Sequence, residues 1–257
     1  MERNSKKSSI KRFLKHNHSA NDALLKEADG LGVLQKALED NDYISVPDFE
    51  LVNDDELHLQ YINEQSPTKQ QSVDLGKGLA LMHKKSYESC GYDKDNYIGL
   101  NPQKNILSKD WGSFFVRYRL KYQLSLIKNA DVQKSFLTLL QNNKSKLEEF
   151  LNEYIEHPSL VHGDLWSGNV LYDQDKVWLI DPAIYFGDRE VDIAMSEMFG
   201  GFSSVFYESY ERAYPKSKVY EIKKVIYNLY HYLNHYNLFG SGYLSGCERG
   251  FEVVEGV

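Results

Sequence analysis

Residues 160–182 read LVHGDLWSGNVLYDQDKVWLIDP. Two short β-forming runs, 170–172 and 177–180, flank a polar turn at 173–176, which is a hairpin signal. Asp164, Asn169 and Asp181 stand at the edges of that hairpin. An ionised carboxylate only accepts hydrogen bonds, and an amide adds a carbonyl oxygen. Such a set suits a hard cation like Mg²⁺, which prefers oxygen and keeps substrate phosphates among its ligands.

The order of these residues says more than their composition. Protein kinases place an Asp in a His-Arg-Asp loop, an Asn five residues later, and a metal-binding Asp after the next strands. Here His162, Gly163 and Asp164 are followed by Asn169, the hairpin and Asp181. On the kinase scheme Asp164 takes the proton of the attacking hydroxyl, while Asn169 and Asp181 hold metal on the phosphates of ATP. A hairpin with ordinary turn carboxylates is the competing explanation, and the full order of His, Asp, Asn and Asp-Pro weighs against it.

Neighbouring residues carry a narrower resemblance. The string HGDLWSGN at 162–169 resembles the signature of fructosamine kinases, also called ketosamine 3-kinases. They form part of the aminoglycoside phosphotransferase-like branch of the kinase fold. The pattern continues in DPA at 181–183, YFGDREVDIA at 185–194 and FGGF at 199–202. It runs from about residue 10 to about residue 245. The resemblance implies a two-lobed, protein-kinase-like α+β fold with a truncated small β lobe (1–62) that binds nucleotide. A mostly helical lobe (63–257) would carry the catalytic loop. It also implies ATP and Mg²⁺ as cofactors, and phosphorylation of a sugar hydroxyl on a small-molecule ketoamine or a glycated lysine. Trp166 offers a flat apolar face beside the expected base, fit to stack on the acceptor.

Composition agrees with such an enzyme. The 257 residues suffice for a sizeable core in one or two domains. The net charge of −7 argues against bulk nucleic-acid binding. No apolar run approaches membrane-spanning length, so no membrane partner is expected. Two cysteines give no disulfide framework, and with no signal peptide in residues 1–12 the cytoplasm is the default location.

Along the chain, residues 8–15 read as a strand ending on Lys15, and a helix follows from Asn21 or Asp22 to about Asp40. Leu24, Ala28, Leu31, Leu34 and Leu38 mark its buried face. Glu27 sits at the edge of that face, and a carboxylate there calls for a partner. Lys15 is the candidate, since a kinase lysine on the phosphates is held by a helix glutamate. Residues 25–31, LKEADGL, match the family pattern there. Strands are expected at 44–47, 49–52 and 57–62. Gln60, Tyr61 and Ile62 fall where a kinase-like hinge passes the adenine. A linker with Ser66 and Pro67 precedes a helix from Gln70 to His83, for which a core or capping role is expected.

Residues 86–110 are irregular, and DNYIG at 95–99 and PQKN at 102–105 resemble a family segment near the acceptor site. An aromatic stripe (Trp111, Phe115, Tyr118, Tyr122) at helical spacing predicts a core helix. A helix carrying Phe136, Leu140, Leu147, Leu151 and Tyr154 follows, then helices over 190–198, 206–214 and 220–239. Asp192 is expected to brace the catalytic loop. His231 and His235 are four apart but lack a third ligand, so zinc is not expected. Residues 247–257 show no helical period.

Residues 1–14 contain no glycine, whereas a kinase-like site needs a glycine-rich turn before its lysine strand. The chain is therefore expected to begin inside the family's domain, and to bind ATP weakly compared with a longer form. A kinase for another small alcohol of aminoglycoside or choline type, and an inactive relative that serves as a binding module, are the alternatives.

Overall fold

The structure, a computed structural model, describes residues 11–18 and 21–257. The expected start of the first strand at residues 8–10, and the glycine-free segment before it, lie outside the described residues. The chain runs β1 (Arg12–His16), α1 (Ala23–Ala37), β2 (Ile44–Ser45), β3 (Phe49–Asn53) and β4 (Glu56–Gln60). β4 lies between β1 and β3, antiparallel to both, with Lys15 opposite Leu57. Leu57 and Leu59 alternate inward, and α1 packs there through Leu24, Ala28, Leu31 and Leu34.

The strand expected at 44–47 is shorter and belongs elsewhere. Only Ile44 and Ser45 are extended, and they pair parallel with a strand of the central hairpin. Pro47 has no N–H to continue a ladder. The Asn41 side chain already accepts the N–H groups of Tyr43 and Ile44, at 3.0 and 3.2 Å.

Next come α2 (Lys69–His83), β5 (Asn96–Ile98) and β6 (Asn101–Gln103). A capping box starts α2: Thr68 Oγ1 accepts from Gln71 N, and Gln71 Oε1 accepts from Thr68 N. α3 (Trp111–Phe114) and α4 (Tyr122–Ser125) are joined by a π-helical stretch, Phe115–Lys121, where an unbroken α-helix was expected. The wider turn accommodates Arg119, fully buried, with its guanidinium 4.1 Å from the Tyr185 ring centre. Such insertions mark packing or functional demands on a helix.

The rest comprises α5 (Ala130–Tyr154), β7 (Ser159–Val161), β8 (Val170–Tyr172), β9 (Val177–Leu179) and β10 (Tyr185–Gly187). The helices α6 (Glu190–Met198), α7 (Ser204–Ala213), α8 (Tyr220–Phe239) and α9 (Leu244–Glu255) follow. α9 corrects the expectation of an aperiodic end. Cys247, Phe251 and Val254 lie on one buried face once the helix is counted from Leu244. Gly250, a poor helix former, obscures the pattern; a Cβ there would stand 2.7 Å from Leu229 Cδ1, so its absence lets α9 approach α8. Among the described residues no helix is long and apolar enough to cross a membrane.

Candidate active site

The loop 162–169 hangs between β7 and β8, and its backbone is fixed from beneath. β7 pairs antiparallel with β10, and β8 with β9. Gly163 has φ +80°, and a Cβ on it would lie 2.0 Å from Ala183 O, so only glycine fits. Asp192, at the start of α6 and fully buried, accepts the N–H of His162 at 2.7 Å and of Gly163 at 2.9 Å. His83 Nε2 lies 3.2 Å from the same carboxylate, and His83 Nδ1 lies 2.8 Å from Tyr210 Oη. Burial opposes the Asp192 charge, but the hydrogen bonds from His83 and the His162 backbone outweigh it and hold its pKa below the usual range.

His162 is a fixture that its residue type alone does not announce. Its Nε2 donates to Ile180 O at 2.9 Å, and its Nδ1 faces the Asp164 N–H at 3.3 Å. One buried ring thereby ties the backbone before Asp181 to that of Asp164. Asn96 and Gln103 add a second anchor: their amides donate to Ile184 O at 2.8 Å and Ala183 O at 3.0 Å. The two residues face each other in the antiparallel pair β5–β6, which corrects the expectation of an irregular segment there; strands of three residues are too short to give a periodic signal.

A cavity of about 280 Å³ is lined by Glu27, Asn96, Asp164, Trp166, Asn169 and Asp181, among others. Asn169 Nδ2 donates to Asp164 Oδ2 at 3.1 Å and to Asp164 O at 2.9 Å, which leaves Asn169 Oδ1 as an acceptor. Burial pushes the Asp164 carboxyl up to about 7, with Asp181 and Asp192 adding to it and the Asn169 hydrogen bond working against it. Lys15 Nζ lies 2.7 Å from Glu27 Oε1 and also contacts Asp181 Oδ1. Burial opposes the Lys15 charge, but the two carboxylates outweigh it and raise its pKa.

Asp181 is, among the described residues, the one non-glycine with positive φ, at +52°. Such backbone persists where the surroundings over-determine it. Here the His162–Ile180 bond and the paired Lys15 do so. Trp166 is 39% exposed, with its ring over Gly168.

The expected hinge residues stand apart from this cavity. Gln60 pairs with Arg12, and its side chain accepts the Asp48 N–H at 3.3 Å. Tyr61 N–H donates to Lys11 O at 3.0 Å, and Ile62 is buried.

The oxygens present fit a hard divalent cation. Asp181 brings a carboxylate and Asn169 a free amide oxygen, both facing one cavity. The described residues form no closed cage of three or more His, Cys, Asp or Glu side chains. A cation such as Mg²⁺ keeps waters and substrate phosphates in its shell and needs no such cage.

The sequence profile of the fructosamine kinase family matches residues 3–254. The protein-ribulosamine 3-kinase of the Arabidopsis thaliana chloroplast is 39% identical over 247 residues, which cover 91% of this chain and 73% of that one. A crystal structure assigned as a fructosamine-3-kinase from Haemophilus somnus 129PT superposes with a TM-score of 0.81 at 27% identity, covering 95% of this chain and 83% of that one. The fold alone is shared with choline kinase LicA from Streptococcus pneumoniae, with a TM-score of 0.65 and 16% identity over 98% of this chain and 88% of that one. The chain belongs to the fructosamine kinase family and has its α+β, kinase-like fold.

Proposed function

We propose that the chain transfers the γ-phosphoryl group of ATP to a sugar hydroxyl of a ketoamine, the adduct of a sugar with an amine or a lysine side chain. A protein of this family is a phosphotransferase with a hydroxyl acceptor. The observation that carries the reading is the convergence of Asp164, Asn169, Asp181 and the Lys15–Glu27 pair on one side of the fold. Asp164 accepts the hydroxyl proton; a carboxyl titrating at about 7 stands near the working pH of a base. Asn169 and Asp181 hold a divalent cation, which supplies charge neutralisation for the phosphates. Lys15, steadied by Glu27, contacts the phosphates, and Trp166 stacks on the acceptor. The connection between β4 and α2 divides a nucleotide-binding lobe (1–62) from the helical lobe (63–257). Adenine lies along Gln60, Tyr61 and Ile62, where the Gln60 and Tyr61 N–H groups are already engaged by Asp48 O and Lys11 O. Cys90 and Cys247, both buried and unbonded, suit the cytoplasm.

The test is ATP consumption with Mg²⁺ against ribulosamine, fructosamine and choline acceptors. Turnover of a ribulosamine or fructosamine is expected. Turnover of choline alone, or of none of them, overturns the reading.

A further inference from the structure

A second cleft, of about 390 Å³, shares Gly99, Asp164 and Trp166 with the polar cavity. Its far wall comes from the end of α6 (Met195 and Phe199), the last turns of α8 (His235, Leu238 and Phe239) and Tyr243 beyond it. Gly240, at φ +88°, ends α8 and turns the chain back, which brings Tyr243 over His235. The His235 ring centre lies 5.1 Å from Phe199, 5.6 Å from Phe239 and 5.0 Å from Tyr243. Phe239 is nevertheless 66% exposed and Phe199 46%. Large rings left in solvent around a concave site mark a binding surface rather than a core.

The polar content of this cleft is sparse and specific. Among the described residues Asp164, at the shared end, is the one charged residue of its lining, and no Lys or Arg lines it. His235 Nδ1 lies 2.8 Å from His231 O, so that nitrogen carries the proton and Nε2 is an acceptor. Burial also lowers the His235 pKa, which keeps the ring neutral. The cleft thus offers aromatic walls, the neutral side chains of His235 and Asn234, and a carboxylate at the end shared with the polar cavity. Among the described residues it holds no cationic side chain to pair with an anion.

We propose that this cleft binds the apolar substituent on the ketoamine nitrogen, an alkyl or aryl chain of about four carbons or more, while the sugar lies toward Asp164. The inference rests on the ketoamine reading. A substituted ammonium fits the carboxylate end and His235 Nε2, and the chain beyond it fits the rings of Phe199, Phe239 and Tyr243. The four-methylene stem of a glycated lysine is such a chain. A glycated glycine instead places a carboxylate two bonds from the nitrogen, against walls that cannot pair with it.

The experiment compares the ribulose adducts of methylamine, butylamine, benzylamine and glycine in the full chain. Burying a methylene is worth roughly fourfold in binding, and partial exposure reduces that. The expected kcat/KM for the butyl and benzyl adducts is about tenfold or more above that for the methyl adduct, mainly through KM. The glycine adduct falls below the methyl adduct. In Phe239→Ala and Phe199→Ala the butyl-to-methyl ratio drops to within about twofold of one. Both rings are exposed, so these variants keep the core, and thermal melting checks it. A flat series in the wild type, or an undiminished ratio in both variants, overturns the cleft assignment while turnover of the methyl adduct still upholds the kinase reading. Quenching of tryptophan fluorescence by the same adducts reads binding without turnover. Equal affinity for methyl and butyl adducts overturns the proposal in that assay too.

Discussion

The carboxylate of Asp192 holds the backbone N–H of His162 at 2.7 Å, across thirty residues of chain and with no access to solvent. The 162–169 loop is therefore shaped by a fully buried carboxylate. Asp192→Ala strands the N–H groups of His162 and Gly163 and the Nε2 of His83. Each unsatisfied buried donor costs about 1–3 kcal/mol. The variant is expected to lose roughly 3 kcal/mol or more in urea unfolding. An unchanged midpoint contradicts the bracing role.

Asp164→Asn is nearly isosteric and keeps an acceptor for Asn169 Nδ2, so the fold should persist. Removal of a general base typically lowers the rate ~10²–10⁴-fold. Circular dichroism and ATP consumption with a ribulosamine are the paired measurements. Near-normal turnover in the variant would show that Asp164 is not the base.

Asp181→Ala should abolish Mg²⁺-dependent nucleotide binding, whereas Asn169→Ala should weaken it less, because an amide oxygen is a neutral ligand. Calorimetric titration of ATP with and without Mg²⁺ separates the two. Asp181→Ala also removes one of the two carboxylates on Lys15. Equal ATP affinity in wild type and Asp181→Ala would refute the metal assignment.

Trp166→Ala should raise the KM of the sugar acceptor more than that of ATP. Trp166 lines both the polar cavity and the aromatic cleft. The opposite pattern, a raised ATP KM beside an unchanged acceptor KM, would place the ring on the nucleotide side.

His231 makes stability depend on pH. Burial pushes its pKa down to about 3, with His235 and Arg119 acting in the same direction and Asp192 against it. In the unfolded chain an imidazole titrates near 6.5. Above that pH neither state binds the proton and His231 contributes nothing. As pH falls from about 6.5 toward 3, only the unfolded chain takes the proton, and stability drops by about 1.4 kcal/mol per unit. Between pH 7 and pH 5 the wild type should lose about 2 kcal/mol more than His231→Phe. Urea midpoints at the two pH values test it, and parallel losses in both proteins would refute it.

Much of the site is legible along the chain because it is local. The spacing of His162, Asp164, Asn169 and Asp181 is set by a loop and one tight hairpin, so covalent connectivity nearly dictates the geometry. The leucine repeat of α1 is readable for the same reason, since helical period is a property of adjacent residues. At residues 247–257 that signal failed, because Gly246 and Gly250 are chosen for close approach to α8 and not for helix propensity.

Other features depend on packing alone. Lys15 meets Asp181 across 166 positions, and β2 leaves the first sheet to pair with β9. Buried polar residues such as Arg119, Asn96 and Gln103 earn their places through partners far away in sequence. The aromatic cleft draws on several separate segments, so no local window shows its rings side by side. The sequence by itself determined the family, the spacing of polar residues along 162–181 and the main helical faces. Only the tertiary structure decided that Asp181 shares Lys15 with Glu27, which amide fixes Asp164, and which rings stay in solvent beside it. Those outcomes follow from burial and hydrogen-bond satisfaction summed over the whole fold, and no local window contains that sum.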